Sequence, residues 1–349
     1  MDRVYILEPG AYLRKEDDNL AVVRQGRVEE RVALDGLKNL TIIGYSALSG
    51  AVLHALVQHR VETVLLSPSG RFEARLCLDE HKHVERRRAQ YLKLSDPGTA
   101  AATARAIVAG KLRTQARFLL LRGQQYQDSH LLSAGAAIRA LESSLGQART
   151  LDMIRGSEGH GSRIYFSAFG RLVRNPAFPF TGRTKRPPLD PVNAMLSFVY
   201  TLLTNEVLSA INRVGLDPYL GALHEVHYGR PSLACDLVEE WRVFVADRLV
   251  LGLINRRTVS PENFVYRKGQ AAYRDEEEMQ DKRPVSMKPS ILRALVEGYD
   301  TWMGTRIRDP LEGDRTSYRE LMVRQVRRFA AYLTGESSAY HPFPWETVR

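Results

Sequence analysis

The sequence predicts an α+β protein in two parts: a β-rich, β-sandwich-like domain over residues 1–84 and an all-α domain over 85–349, with loops near 175–190 and 266–288. Three observations carry this prediction. Short alternating segments separated by turn residues fill the first part. After Glu85 the apolar period changes from two to 3.6. The charge divides at the same place: residues 1–84 hold 11 Lys+Arg against 12 Asp+Glu, and residues 85–349 hold 39 against 28, so the whole basic excess belongs to the second part.

In the first part, Arg3–Ile6, Tyr12–Arg14, Leu20–Arg24, Arg27–Ala33, Leu40–Ile43, Thr63–Leu66 and Phe72–Leu78 read as strands. Asp17-Asp18-Asn19, Gln25-Gly26 and Ser69-Gly70 read as turns, and a helix over Ala47–Gln58 interrupts the series. In the second part, Asp96-Pro97 is an N-cap followed by proline in the first helical turn. Val108, Leu112, Ala116 and Leu119 then form one inward stripe, and further helices are expected over Pro191–Arg213, Pro231–Asn255, Pro289–Met303 and Arg315–Leu333. Asn175–Asp190 is too rich in proline (Pro176, Pro179, Pro187, Pro188) for a helix interior, and Tyr266–Lys288 is dense in charge.

A chain of 349 residues exceeds what one hydrophobic core usually serves. No uninterrupted apolar run of about 18 residues and no signal-like N-terminus is present, so a cytoplasmic location without membrane attachment is expected. The two cysteines, Cys77 and Cys235, indicate neither a disulfide framework nor a thiolate metal site. The net charge of +10 suits a polyanionic partner. No phosphate-binding Gly-rich loop, G-x-S-x-G elbow or H-E-x-x-H motif is present, which weakens nucleotide hydrolysis, esterase and zincin readings.

Two places hold residues that can carry chemistry. On helical arithmetic from Leu151, Glu158 falls in one apolar stripe with Ile154, Gly161, Tyr165 and Phe169. A carboxylate there needs a partner such as a metal ion, an arginine or a water cluster, unless the flanking Gly156, Gly159 and Gly161 break the helix and leave it solvated at a bend. The second place is Gly221–Arg242, where His224 and His227 precede a helix whose first turns carry Asp236, Glu239 and Glu240. Imidazole nitrogen with carboxylate oxygens suits Mg²⁺ or Mn²⁺ better than a thiolate zinc site, although acidic residues also favour a helix N-terminus for dipole reasons. Arithmetic from Leu233 puts Asp236 and Glu240 closer to the apolar face than Glu239. Arg183, Lys185 and Arg186 could neutralise phosphates from the proline-rich loop, with Lys111 and Arg155 adding to the same groove.

Several stretches together resemble a known family. They are Ile42-Ile43-Gly44, Leu65–Phe72 (LLSPSGRF), Ala106–Lys111 with Gln115, Gly156–Gly159 (GSEG), Asp190–Ser197 (DPVNAMLS), Gly221–His224 (GALH) and Ser232–Glu239 (SLACDLVE). In order and spacing the chain resembles the CRISPR-associated spacer integrases, the larger of the two core proteins of CRISPR adaptation. The resemblance implies a β-rich domain that mediates homodimer formation and an all-helical catalytic domain. It implies Glu158, His224 and Glu239 as catalytic metal ligands for Mg²⁺ or Mn²⁺, with Asp236 as a supporting acidic group. The implied partners are double-stranded DNA, both spacer precursor and CRISPR repeat, and a small ferredoxin-like adaptation protein that bridges two dimers. A nuclease or branched-DNA resolvase that does not integrate, and a non-catalytic nucleic-acid scaffold, are the competing readings.

Overall fold

The computed structural model describes residues 2–76, 83–185, 187–266 and 284–345. These divide into two compact units, residues 1–80 with 262–296, and residues 81–261 with 297–349. The first unit therefore draws on two stretches of chain rather than one.

The first unit opens with β1 (Arg3–Ile6), β2 (Tyr12–Glu16), β3 (Asn19–Arg24), β4 (Arg27–Ala33), β5 (Asn39–Ile43) and β6 (Ala47–Leu48). Then come α1 (Gly50–Gln58), β7 (Glu62–Leu66) and β8 (Phe72–Leu76). One four-stranded sheet runs β1-β5-β7-β8 and the other β4-β3-β2-β6. Gln25 and Gly26, both at positive φ (48° and 79°), make the tight β3–β4 turn whose twist matches the paired strands. Alternate residues of both sheets, Ile6, Leu13, Leu20, Leu40 and Ile42, meet Val52 and Leu56 of α1 in one core. The helix expected from Ala47 starts at Gly50 instead. Ala47 and Leu48 pair with Tyr12 and Leu13 as a strand, and Ser49 caps the helix by accepting the Val52 N–H.

The later stretch of this unit corrects an expectation. Within 266–288, Val285–Met287 (β10) pairs antiparallel with Phe264–Tyr266 (β9), because aromatic and β-branched residues at both ends favour pairing over loop. Residues 267–283 lie outside the described ones. In the helix that follows, Arg293 donates to Glu8 Oε1 at 2.9 Å, tying this stretch to the N-terminal strands.

The second unit is mostly helical. Its elements are α2 (Val84–Ser95), α3 (Pro97–Tyr126), α4 (Ser129–Ser144), α5 (Leu151–Phe169), α6 (Pro191–Val214), α7 (Ser232–Leu237), α8 (Arg248–Asn255), the end of α9 (Pro289–Gly304), and α10 (Tyr318–Thr334). It is not all-α: β11 (Arg306–Arg308) and β12 (Arg315–Ser317) form a hairpin. The last helix consequently begins at Tyr318 rather than Arg315, with Ser317 as its cap. Asp96 and Asp190 cap α3 and α6, each before a proline. Helix α6 is long and apolar enough to cross a membrane. Val192, Leu196, Val199, Leu203, Val207 and Ile211 are nevertheless fully buried, which makes it the core helix of this unit. Between α5 and α6 the described part of Asn175–Asp190 contains neither helix nor strand.

The largest departure lies at 231–255, expected as one helix. Helix α7 stops at Leu237, a 3-10 turn spans Val238–Glu240, and a wider π-type turn spans Arg242–Asp247 before α8. This change of winding resets the side-chain directions across the candidate site.

Candidate metal and nucleic-acid site

Helices α3 and α5 and the 3-10 turn each bring one residue to a common point. Lys111 of α3, a residue only 5% exposed, hydrogen-bonds Glu158 of α5, and its ammonium lies 2.8 Å from Glu239 Oε2. Arg242 closes the cluster at 3.2 Å from Glu239 Oε1. The carboxylate of Glu239 is thus buried between two cations. Burial opposes its ionisation, yet the guanidinium of Arg242 and the ammonium of Lys111 outweigh it and hold the carboxyl down to about 2. Glu158 is half-buried and also accepts the Ser162 hydroxyl at 3.0 Å. Helix α5 runs unbroken past its glycines, which excludes a bend at Glu158. The glycines differ among themselves. A Cβ on Gly161 would meet Leu112 Cδ2 at 2.2 Å, whereas Gly156 and Gly159 face open space.

His224 is fixed from behind. Asp236, completely buried, accepts the backbone N–H groups of Ala222 (2.6 Å), Leu223 (2.9 Å) and His224 (2.9 Å), and contacts His224 Nδ1 at 2.7 Å. The 221–224 loop therefore wraps one carboxylate. Gly221 makes this possible, since a Cβ there would lie 2.5 Å from Asp236 Oδ2 and 2.8 Å from the Ser232 backbone. With Nδ1 engaged by a carboxylate, the remaining ring nitrogen, Nε2, is the one left to bind a ligand. A charge on the His224 ring, when it carries one, would add to the cations that favour ionised Glu239.

The donor set fits a divalent cation. Two carboxylates from separate helical elements already share one ammonium, so a single cation can reach both, and His224 offers an oriented imidazole as a nitrogen donor. Glu240, next in sequence to Glu239, points elsewhere and takes no part. His227 is also outside the cluster, its Nδ1 lying 3.2 Å from the Tyr228 carbonyl.

The cationic residues are placed unevenly. Lys111, expected along a groove, is buried between the carboxylates. Arg183 is directed inward: it donates to Asn193 Oδ1 (2.7 Å) and Ser197 Oγ (3.0 Å), and lies over the Tyr200 ring. Lys185 is exposed, and loss of hydration at its ammonium followed by the charges of Arg242 and Arg183 depresses its pKa. Arg155 is half-exposed, bound to the Leu223 carbonyl (2.8 Å) and Glu225 (3.0 Å). Arg186 lies outside the described residues.

Sequence reasoning missed Arg242 and the pair of tyrosines behind it. Tyr200 and Tyr165 donate to Asp247 at 2.6 and 2.8 Å, and Arg242 sits over the Tyr200 ring. Burial pushes the Asp247 carboxyl up to about 6 despite those two hydrogen bonds. Away from the site, Asp309, Glu312 and Asp314 form an acidic cluster with metal-like spacing, but Arg324 lies within 2.9 Å of all three and Arg328 pairs with Asp309 and Glu312, so guanidinium groups already partner it.

Comparison with known proteins gives the chain's relatives. Residues 4–281 match the family model for CRISPR associated protein Cas1. The chain is 37% identical over 344 residues to a CRISPR-associated endonuclease Cas1 of Thermus thermophilus, covering 97% of this chain and 96% of that one. It is 33% identical over 352 residues to one from Chlorobaculum tepidum, covering 99% and 98%. Among solved structures, a casposase bound to integration product superposes with a TM-score of 0.83 at 22% identity, covering 99% of this chain and 94% of that one. A Cas1 protein from Thermotoga maritima gives 0.78 at 22% identity, covering 97% and 98%. With a family match over residues 4–281 and end-to-end relatives above 30% identity, this chain belongs to the Cas1 family of CRISPR-associated proteins.

Proposed function

We propose that this chain is a CRISPR adaptation integrase that joins the 3′-hydroxyl ends of a short spacer duplex into a CRISPR repeat. The observation that carries this reading is the meeting of Glu158 and Glu239 on one cation, together with a His224 ring held in place by Asp236. Glu158, Glu239 and His224 Nε2 would hold Mg²⁺ or Mn²⁺, which when bound polarises the target phosphate. The 3′-oxygen of the donor strand bonds to the phosphorus, the bond to the target strand's 3′-oxygen breaks, and one phosphodiester replaces another. Arg242 and Lys185 add positive potential around the reacting phosphate, and Arg155 extends it toward the duplex. Asp236 keeps the imidazole oriented and takes no proton from substrate.

A duplex has two ends, so the reading includes a homodimer that presents two sites, with a small ferredoxin-like adaptation protein bridging two dimers. It places the protein in the cytoplasm, beside chromosomal DNA. Its fold likeness to a chain titled Cas6-RT-Cas1--Cas2 complex (TM-score 0.82, 19% identity) is compatible with such an assembly.

The test is incubation with a short duplex and a supercoiled plasmid that carries a repeat, with Mg²⁺ or Mn²⁺. A covalent donor–plasmid product that disappears in His224→Ala, with DNA affinity largely retained, supports the reading. Plasmid nicking without any joined product would favour hydrolysis alone, as in a nuclease or resolvase. DNA binding without metal-dependent chemistry would favour a scaffold.

A further inference from the structure

The C-terminal segment Tyr340–Trp345 lies beyond the stretch matched by the family model, which ends at residue 281. It packs directly behind the candidate ligand Glu239. The link is Glu240, a fully buried carboxylate whose two oxygens accept the Tyr340 hydroxyl and the Phe343 backbone N–H (2.9 Å). Gln325 of α10 joins them: its amide nitrogen lies 3.3 Å from Glu240 Oε2 and donates to Tyr340 (2.9 Å) and to the His341 carbonyl (2.9 Å).

The backbone is held as well. Where 3-10 winding gives way to the π-type turn, the indole N–H of Trp345 donates to the Glu240 carbonyl at 2.7 Å. The Trp345 ring stacks on Phe244 (3.8 Å between centroids) and meets Trp241 edge-on (5.0 Å). On the opposite flank, Pro342 rests on Gly110 so closely that a Cβ there would lie 2.5 Å from the proline ring. Gly110 precedes Lys111, and Glu240 follows Glu239. The segment thus grips the two backbone positions adjacent to the two residues that meet at 2.8 Å.

We infer that Tyr340–Trp345 is a positioning element for Glu239: it fixes the irregular turn at Val238–Glu240 so that the Glu239 carboxylate is presented to the divalent cation. This rests on the metal reading proposed above. It assigns positioning roles to Tyr340, Trp345 and Glu240, none of which touches substrate or metal. Loosening the turn lets Glu239 leave the ligand geometry, which weakens metal binding before it unfolds the domain.

The experiment uses the full chain with Tyr340→Phe and Trp345→Phe combined, which removes the two hydrogen bonds that this segment's side chains make to Glu240 and keeps an aromatic ring at each position. Free Mn²⁺ is followed by electron paramagnetic resonance, alongside thermal melting. The expected result is a Mn²⁺ dissociation constant raised about tenfold, with strand-transfer rate recovered at saturating Mn²⁺. A double variant with unchanged Mn²⁺ affinity and a lowered melting temperature overturns the inference, because the segment is then structural only. Should the double variant not fold, Trp345→Phe alone repeats the titration with the same two outcomes, and a threefold weakening suffices. If the wild-type chain binds no Mn²⁺, the metal reading itself fails and takes this inference with it.

Discussion

His224 Nδ1 lies 2.7 Å from Oδ1 of Asp236, a carboxylate that also accepts three consecutive backbone N–H groups. One buried acid therefore sets both the ring and the loop that carries it. Asp236→Asn puts an amide nitrogen where only acceptors fit. The expected outcome is a loss of about 2–3 kcal/mol in stability and a Mn²⁺ affinity lower by about 10–100-fold. Denaturant unfolding and metal titration check it; wild-type values in both would strip Asp236 of this role.

Lys111 offers a test of cation sharing. Lys111→Met leaves Glu158 and Glu239 facing each other without their common ammonium, at an expected cost of about 3 kcal/mol. A divalent ion can take the same place, so millimolar Mn²⁺ is expected to raise the melting temperature of this variant more than that of the wild type. Equal responses would contradict the convergence of the two carboxylates on one ion.

How much of this was legible in the sequence depends on the range of the forces involved. The strands of the first unit and helices α3 to α6 follow local pattern and caps, which is why Gln25-Gly26, Asp96-Pro97 and Asp190-Pro191 mark their elements correctly. Glu158 stood out because a carboxylate broke an apolar stripe. Lys111 carried the same signal, lying between Val108, Leu112 and Gln115 on the inward face, but a lysine in a helix is readily taken for a solvated charge. The break at Val238–Asp247 was not legible at all. Leu237, Val238, Trp241, Val245 and Leu249 satisfy an ordinary apolar period, while the partners that hold the irregular winding, Tyr340 and Trp345, lie some hundred residues downstream. Helical arithmetic consequently ranked Glu240 above Glu239 for the apolar face, whereas both are buried, toward opposite sides.

Asp247 gives a pH dependence. Its carboxyl is raised from an ordinary 3.8 to about 6, so the folded state binds this proton more tightly than the unfolded chain does. The associated stability is fully present below about 3.8, is lost as pH rises through about 6, and stays constant above. Integrated over that window it amounts to about 3 kcal/mol. The stability of wild type relative to Asp247→Asn should therefore fall between pH 4 and pH 7 in denaturant titrations. A difference independent of pH would mean the buried acid is not held protonated.

Gly156 and Gly159 lie in the interior of α5, and a Cβ at either would meet nothing within 4 Å. Alanine at either position is expected to raise stability by about 1 kcal/mol through helix propensity alone. Gly110→Ala should do the opposite despite the same propensity gain, because Pro342 occupies the space, with a net loss of about 1–2 kcal/mol. Melting curves of the three variants decide this; a stabilised Gly110→Ala would show that the C-terminal segment does not press on α3.

The most direct measurement is anomalous scattering from crystals grown with Mn²⁺. A peak is expected within about 2.0–2.6 Å of carboxylate oxygens of Glu158 and Glu239 and of Nε2 of His224. A manganese peak confined to Asp309, Glu312 and Asp314, or a saturated crystal with no peak beside His224, would contradict the shared metal site.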